Sequence, residues 1–386
     1  MESKTKVFAM YLPQYHCIPE NDQFWGKGFT DWVTVKKATP FYKGHIQPRI
    51  PLNNNYYDLS KEENVLWQAQ LAAEYGIYGF GVYHYWFNNE KNILTRPAEI
   101  LRDSKKISIK YFFSWDNANW KRSWSNVIGN DWAPIADNID MQKKGPQILI
   151  PYILGNEPDW RNHYDYVRTH FQSPNYEKYN NMPLFSIIMF SNDILKMCEC
   201  WNKWAKEDGY NGICFIFQNI PSQVILPENS FIYNYEPHYI GWIHPSMRIK
   251  SKTFVQKAIN KCSRLINKNH KRGIIYFNYD NIWHDLLKLI TCEKQKNIIH
   301  GAFVGYDDSP RRGKDGSKIV KGGTPQKFEI YFRQFYKTIC SQNKPYIFLT
   351  AWNEWGEGAY LEPDTQNKFA YLTAIKNIIQ NSKKDF

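Results

Sequence analysis

The sequence has no apolar run long enough to cross a membrane, and residues 1–6 lead into the first strand-like segment without the apolar core of a signal peptide. It has no G-x-G-x-x-G motif after that segment and no P-loop, which argues against the nucleotide-sugar fold of many glycosyltransferases. No G-x-S-x-G motif supports acyl transfer, and no His–Glu cluster has metal-site spacing. We therefore expect a cytoplasmic protein that uses no metal and no cofactor.

Cysteine pairs are also scarce. The seven cysteines form an odd set in which only Cys198 and Cys200 are close together. A second pair at zinc-site spacing is missing, so the pattern does not favour metal binding. Reduced thiols are the expected state.

The formal net charge is +12, but Lys and Arg occur in short, scattered clusters. No basic motif of a known nucleic-acid-binding module accompanies them, so we expect no nucleic-acid partner. A basic surface also suits a weak association with an anionic membrane, or with a pyrophosphate-linked glycan.

Aromatic residues are abundant instead: they make up 17% of the chain, with 15 Trp and 27 Tyr. Trp and Tyr combine an apolar ring with a polar group and are common in carbohydrate clefts. The alternative is an aromatic-rich core, which must account for many of them. Hydrophobic content of 43% and charged content of 22% are those of a globular protein.

Eight apolar segments alternate with helical patterns along the chain, which fits a (β/α)8 TIM barrel better than a doubly wound sheet. The predicted strands are residues 6–12, 77–83, 109–113, 183–190, 212–217, 231–235 and 301–306, and one that begins at Tyr346. The predicted helices are residues 61–75, 97–103, 159–171, 194–206, 254–265, 281–290, 326–339 and 368–379. In the first helix, Ser60 is the expected N-cap and Glu63 completes a capping box.

No composition shift marks a domain boundary. We therefore expect a single domain over residues 1–386, with long βα-loop insertions at about 17–60 and 121–160. In a barrel the carboxyl ends of all strands meet at one mouth, so the polar aromatic loops after strands one, two, three, seven and eight would build one site. The predicted substrate-binding residues are Tyr11, Gln14, Tyr15, His16, Asp31, Trp32, His84, Tyr85, Trp86, Trp115, Asn117, Asn119, Glu236, Asp307, Asp308, Arg311, Trp352, Asn353 and Trp355.

The stretch after the eighth strand carries the candidate catalytic pair, Glu354 and Glu357. Residues three apart point to opposite faces of a strand, so the two acids can cooperate only if the chain turns, which Gly356 and Gly358 permit. A helical bend would bring their Cβ atoms to within about 5–6 Å, a spacing that suits glycoside cleavage with retention. The alternative is that both are solvated loop charges.

Other candidates have structural alternatives. Asp307, Asp308 and Arg311 could form a turn with its own ion pairs, or one Asp could accept sugar hydroxyls while the Arg orients a carboxylate. His16 and His84 could be packed at the rim of the core, or contact hydroxyl groups in a cleft.

Seven motifs occur in order along the chain: Met10–His16, Gly28–Trp32, Gly79–Trp86, Trp115–Trp120, Asp159–Arg161, Asp307–Gly313 and Trp352–Gly358. Together they resemble the WbsX-type proteins of bacterial polysaccharide loci, which are similar in turn to the endo-α-mannosidases of glycoside hydrolase family 99. The resemblance implies retention without a metal, with Glu354 as the base that takes the proton of the sugar 2-hydroxyl to form a 1,2-anhydro sugar, and Glu357 as the acid. The sequence departs at Gly356, where those hydrolases carry His.

The leading hypothesis is a retaining, metal-independent, α-mannosidase-like endo-glycosidase or transglycosylase acting on a bacterial surface polysaccharide or related oligosaccharide, lipid-linked or free. One alternative is a glycosyltransferase of O-antigen or capsule biosynthesis that uses an activated donor. Another is a glycan-binding protein without catalysis.

Overall fold

The computed structural model of the protein describes residues 5–121, 148–221, 223–266 and 273–382. Eight parallel strands form a closed barrel in which each pairs with its neighbours in chain order, and the first pairs with both the second and the eighth. The strands are β1 Lys6–Tyr11, β2 Gly79–Asn88, β3 Lys110–Trp115, β4 Met182–Ile187, β5 Cys214–Gln218, β6 Phe231–Asn234, β7 Ile298–Phe303 and β8 Tyr346–Thr350. The predicted TIM barrel is confirmed.

Helices surround the barrel and extend its loops. They are α1 Pro19–Trp25, α2 Asp31–Lys37, α3 Glu62–Glu74, α4 Arg96–Asp103, α5 Glu157–Phe171, α6 Asn192–Glu207, α7 Met247–Ile266, α8 Tyr279–Cys292, α9 Ser309–Arg312, α10 Pro325–Ser341 and α11 Ala370–Ser382. None of the helices in the described ranges is both long and apolar enough to cross a membrane.

Several details of the prediction are wrong. Strand β2 continues to Asn88 and does not end at residue 83, and α7 begins at Met247 and not at residue 254. The seventh strand starts at Ile298 and not at residue 301, and residues 304–306 already belong to the loop at the mouth. Helix α3 starts after Lys61, and no side chain caps it. Ser60 instead donates its backbone N–H to Asp58 Oδ1 at 2.8 Å, because that carboxylate closes a turn just before the helix.

The long insertions add small elements outside the barrel. The first carries α1 and α2, and in the second Trp120–Lys121 pairs with Ile148–Ile150, while residues 122–147 lie outside the described residues. The extended segment Gly273–Asn278 pairs in parallel with Asp315–Lys321. The sequence pattern did not indicate a strand at Asp315–Lys321.

Aromatic rings fill the barrel interior. The ring of Phe348 on β8 lies 4.9 Å from that of Phe112 on β3, 5.0 Å from that of Tyr233 on β6 and 5.9 Å from that of Phe8 on β1, measured between centroids. Gly81 on β2 leaves room for them, since a Cβ there would lie 2.8 Å from Phe112 Cζ. Part of the aromatic excess is therefore core, as the structural alternative held.

We predict that Phe348→Ala lowers the free energy of unfolding by about 3–5 kcal/mol, because it leaves a cavity where the ring packs against side chains from three other strands. Phe254→Ala is the matched control: the Phe254 side chain is largely exposed on α7, so the change should stay within about 0.5 kcal/mol. Urea unfolding followed by circular dichroism measures both. Equal effects of the two substitutions would contradict this view of the core.

Candidate active site

The chain turns between the two candidate acids. After β8, Asn353–Glu354 pairs with Ala359–Tyr360 in a small antiparallel ribbon, and Trp355–Glu357 forms one turn of 3₁₀-helix between them. Gly358 closes the turn with a φ of 55°, in the left-handed region that glycine adopts without strain. The bend that the sequence predicted is present.

Both acids meet one arginine. Arg311 Nη2 donates to Glu354 Oε2 at 2.9 Å, and Arg311 Nη1 donates to Glu357 Oε1 at 2.7 Å. Asp31, the first residue of α2, accepts from the same guanidinium at 3.2 and 3.3 Å. We call these four residues the arginine cluster. The predicted orientation of a carboxylate by an Arg matches this geometry.

The cluster is buried and holds more negative than positive groups. The Arg311 and Glu354 side chains are each 6% exposed, and that of Glu357 is 21% exposed. Burial, assisted by the charges of Glu357 and Asp31 and opposed by that of Arg311, raises the pKa of Glu354 to about 8. Burial lowers the pKa of Arg311, but the three carboxylates outweigh this and hold it well above its usual range.

Two predicted sugar-binding residues hold the loop of the candidate acids in place. Tyr15 donates its hydroxyl to the Asn353 carbonyl at 2.5 Å and accepts from the Trp355 N–H at 3.2 Å. The Asn353 side chain makes two hydrogen bonds, of 2.7 and 2.9 Å, with the backbone of Leu12 after β1. Their polar groups are therefore engaged within the protein.

Glu362 is a site residue that the sequence reasoning missed. This buried acid accepts hydrogen bonds of 2.7 Å from Trp355 Nε1, Tyr57 Oη and Gln68 Nε2, and so anchors the loop from below. Burial raises its pKa to about 7. Nothing in its sequence neighbourhood distinguishes it, because its partners lie up to 305 residues away.

Three tyrosines near the acids were also missed. Burial raises the pKa values of Tyr83, Tyr235 and Tyr306, and the negative charges of Glu354 or Glu357 raise each of them further. Tyr235 and Tyr306 follow barrel strands and Tyr83 lies within β2, so tyrosines in and after the strands were the available signal.

His84 lies on the other side of its strand from Tyr83. Its Nε2 is 2.9 Å from Nε2 of His163 on α5, and its ring stacks on Tyr166. Burial lowers the pKa of His84 to about 3, so the ring is neutral near pH 7. The packed alternative for His84 agrees with these contacts.

Trp86 and Trp115 line a separate cavity of about 330 Å³, together with His163 and Trp160. Trp86 stacks on His163 at 4.5 Å, and Trp115 Nε1 donates to the Trp86 carbonyl at 2.8 Å. The structure therefore places these two tryptophans around a different cavity from the arginine cluster.

The predicted residues of the β3 loop make loop contacts. Asn117 exchanges two 2.7 Å hydrogen bonds with the Met189 backbone, and Asn119 Oδ1 accepts from the Tyr152 N–H at 2.7 Å. Tyr85 packs in an aromatic group with Phe87.

The two acids after β7 differ sharply. Asp307 accepts from His45 at 2.8 Å and pairs with Arg49 at 3.1 Å, and these bonds hold its pKa well below its usual value although burial opposes them. Asp308 pairs with Arg312 at 2.8 Å, and burial raises its pKa to about 6. The predicted alternative of a turn with its own ion pairs therefore describes Asp308, whereas the partners of Asp307 come from the segment before α3.

The Asp307 backbone N–H also donates to the Glu357 carbonyl at 2.6 Å, which ties the β7 and β8 loops together. A cavity of about 360 Å³ lies beside this contact, lined by Asp307, Arg49, Lys321 and the start of α10.

The remaining predicted residues are buried around the base of the site. Tyr11 donates to Gln68 at 2.6 Å, Trp32 Nε1 donates to the Tyr57 carbonyl at 2.9 Å, and the Trp352 ring packs on Phe80 at 5.3 Å. Gln14 Oε1, His16 Nδ1 and Glu236 Oε1 are buried without a hydrogen-bond partner in the described part of the chain. Burial raises the pKa of Glu236 well above its usual value.

The described residues contain no group of three or more His, Cys, Asp or Glu side chains arranged to hold a metal ion.

We predict that Gly356→Ala displaces the arginine cluster, because a Cβ there would lie 2.6 Å from both Arg311 Nε and Asp31 Oδ2. Thermal unfolding should show a loss of about 1–3 kcal/mol. Gly241→Ala is the control, since its nearest neighbour would be Ile282 Cδ1 at an ordinary 3.6 Å. A Gly356→Ala protein as stable as the control would show that the cluster tolerates a side chain at this position.

Comparison with known proteins gives both a fold and a family. Solved structures with the same architecture include the GH99 endo-alpha-mannosidase from Bacteroides thetaiotaomicron, with a TM-score of 0.54 at 13% identity, covering 100% of this chain and 99% of that one. A glycoside hydrolase-like protein matches with a TM-score of 0.53 at 12% identity, covering 97% of this chain and 94% of the other. At these identities the likeness shows the fold alone.

Among curated relatives, the protein WxcX from Xanthomonas campestris pv. campestris, itself described as uncharacterized, is 26% identical over 386 residues, which covers 97% of this chain and 49% of WxcX. The chain thus spans about half the length of the curated relatives it matches. The model of the family described as glycosyltransferase WbsX matches residues 7–375. Because that match covers nearly the whole chain, this protein belongs to the WbsX family.

Proposed function

We propose that the protein is a retaining, metal-independent glycan-processing enzyme, an endo-glycosidase or transglycosylase acting on a bacterial surface polysaccharide or a related oligosaccharide. The observation that carries the proposal is the arrangement of Glu354 and Glu357 on one buried arginine at the mouth of a TIM barrel. Active sites of such barrels lie at this end of the strands. Paired carboxyl groups are the usual machinery of glycoside cleavage.

The two acids take different roles, as the resemblance to family 99 implies. Glu354 removes the proton from the sugar 2-hydroxyl, and this oxygen bonds to its own anomeric carbon as the glycosidic bond breaks. Glu357 gives a proton to the departing oxygen. In the second step Glu357 takes a proton from water, which opens the 1,2-anhydro ring, and Glu354 returns the proton to the 2-oxygen. An acceptor sugar in place of water gives transglycosylation.

The two acids have different environments. The raised pKa of Glu354 makes its ionised form a stronger base than an ordinary carboxylate, which suits proton removal from a hydroxyl. Glu357 is the more exposed of the two, so it can reach a leaving group. Arg311 fixes both side chains, and Tyr83, Tyr235 and Tyr306 supply apolar faces and hydroxyls for sugar rings.

A second candidate is a transferase that uses an activated, phosphorylated donor. The cavity beside Glu357 favours it, because Arg49, Lys321 and the amino end of α10 at Thr324 bring positive charge and helix-dipole potential together there. A third candidate, a glycan-binding protein without catalysis, predicts binding that survives loss of both acids.

We predict that Glu354→Gln and Glu357→Gln each lower turnover at least about 100-fold while leaving the circular dichroism spectrum unchanged, because each removes a proton-transfer group. Release of reducing ends from α-mannan and from a panel of bacterial surface polysaccharides measures turnover, and proton NMR of the first product reports whether configuration is retained. Glu63→Gln, an exposed acid on α3, is the control.

Unchanged activity in both variants would show that Glu354 and Glu357 are not the catalytic pair. Glycan binding without product release, undiminished in the double variant, would favour the binding protein. Tight binding of a nucleoside diphosphate by calorimetry, lost in Arg49→Met, would favour the transferase.

The pH profile tests the roles. If Glu354 is the base, it must be ionised, so kcat/KM should rise with pH and level off above about 8, the pKa of Glu354 in the free protein. Arg311→Met removes the positive charge that opposes protonation of Glu354, so the rise in kcat/KM should move to higher pH. Arg311→Lys keeps the charge and should move the rise less. A rate that falls as pH rises through 8 would make Glu354 the proton donor.

A further inference from the structure

Helix α7 faces the protein with its polar side. Gln256 exchanges hydrogen bonds of 2.9 and 2.7 Å with the backbone of Tyr276, and Asn260 Nδ2 donates to the Ile274 carbonyl at 3.3 Å. These contacts attach the helix to the edge of the strand Gly273–Asn278. A helix on the surface of a water-soluble protein usually turns its apolar side inward.

The apolar side of α7 faces outward instead. Five of its large apolar side chains are between 55% and 77% exposed, and at 100° per residue they project from one face, roughly opposite Gln256 and Asn260. They are Met247, Phe254, Val255, Ile259 and Leu265. Ile249 lies on the inward face with Gln256 and Asn260 and is 4% exposed. Single exposed apolar residues are ordinary, but a continuous row along a helix marks an interaction surface.

The charge of the helix is entirely positive. It carries six Lys or Arg residues and no Asp or Glu, namely Arg248, Lys250, Lys252, Lys257, Lys261 and Arg264. By helical periodicity five of the six flank the apolar row on its two sides, where long side chains can extend sideways from an embedded helix, and Arg248 falls between Val255 and Ile259. Three more basic residues follow within positions 267–272, which lie outside the described residues.

We propose that α7 binds an anionic lipid surface, lying in the plane of the membrane with its apolar row inserted among the headgroups. A basic helix with a separate apolar face is the usual form of such interfacial helices. A second copy of the chain is a poorer occupant, because it would bring twelve like charges together on two copies of this helix. The inference stands on α7 alone and does not require the proposed catalytic function.

This attachment would also set the distance of the barrel mouth from the membrane. The strand held by α7 pairs with Asp315–Lys321, which begins three residues after α9, the helix that carries Arg311. Membrane contact at α7 therefore places the β7 loop close to the lipid surface.

Vesicle flotation tests the proposal, with vesicles of phosphatidylcholine alone or with one third phosphatidylglycerol. The protein should float with the anionic vesicles and less so as salt rises. Lys257→Glu with Lys261→Glu should lower the partition coefficient at least about 25-fold, since each neutralised cation is worth about fivefold. Phe254→Ser with Leu265→Ser should lower it at least about tenfold through lost apolar insertion. Thermal unfolding should be unchanged in both variants, because all four side chains are exposed.

Lys105→Glu with Lys106→Glu is the control, since it changes the net charge equally at an exposed turn after α4, and it should lower partitioning less than about twofold. The proposal is overturned if the protein does not float at low salt, or if the control loses as much binding as the α7 charge variant. It is also overturned if light scattering shows a lipid-free dimer that Phe254→Ser with Leu265→Ser dissociates, which would assign the row to a second copy.

Discussion

The candidate site depends on one interaction, the contact of the buried Arg311 guanidinium with three carboxylates. Asp31, Arg311 and the Glu354–Glu357 turn belong to three separate parts of the chain. Without the cation, three acids in a buried space would repel one another, and at least one would take up a proton or move into solvent. The arginine therefore both joins the loops and keeps the two acids together.

The contact between Arg311 and Asp31 also requires a glycine at position 356. A side chain at that position would occupy the space that Arg311 and Asp31 fill. The absence of a side chain at Gly356 thus leaves room for the contact between Arg311 and Asp31 beside the Glu354–Glu357 turn.

The barrel core, the arginine cluster and helix α7 lie in different parts of the molecule. The barrel interior is filled with aromatic rings, the mouth holds the arginine cluster, and the loops after β6 and β7 build the small sheet to which α7 is attached. The arginine cluster and the outward apolar row of α7 are thus carried by neighbouring loops of one barrel.

The sequence by itself determined the barrel and the turn between Glu354 and Glu357, because strand periodicity, helix patterns and glycine conformation are local properties. It did not determine which residues of the strands lie at the mouth. Adjacent Tyr83 and His84 point to opposite sides of β2, and a shift of one residue in the strand register would exchange them. Nor did it reveal the hydrogen bonds of Glu362. It also did not reveal that Gln256 binds the backbone of Tyr276, so that the apolar side of α7 faces outward. Those features depend on contacts between distant segments, and only the closed tertiary structure brings such segments together.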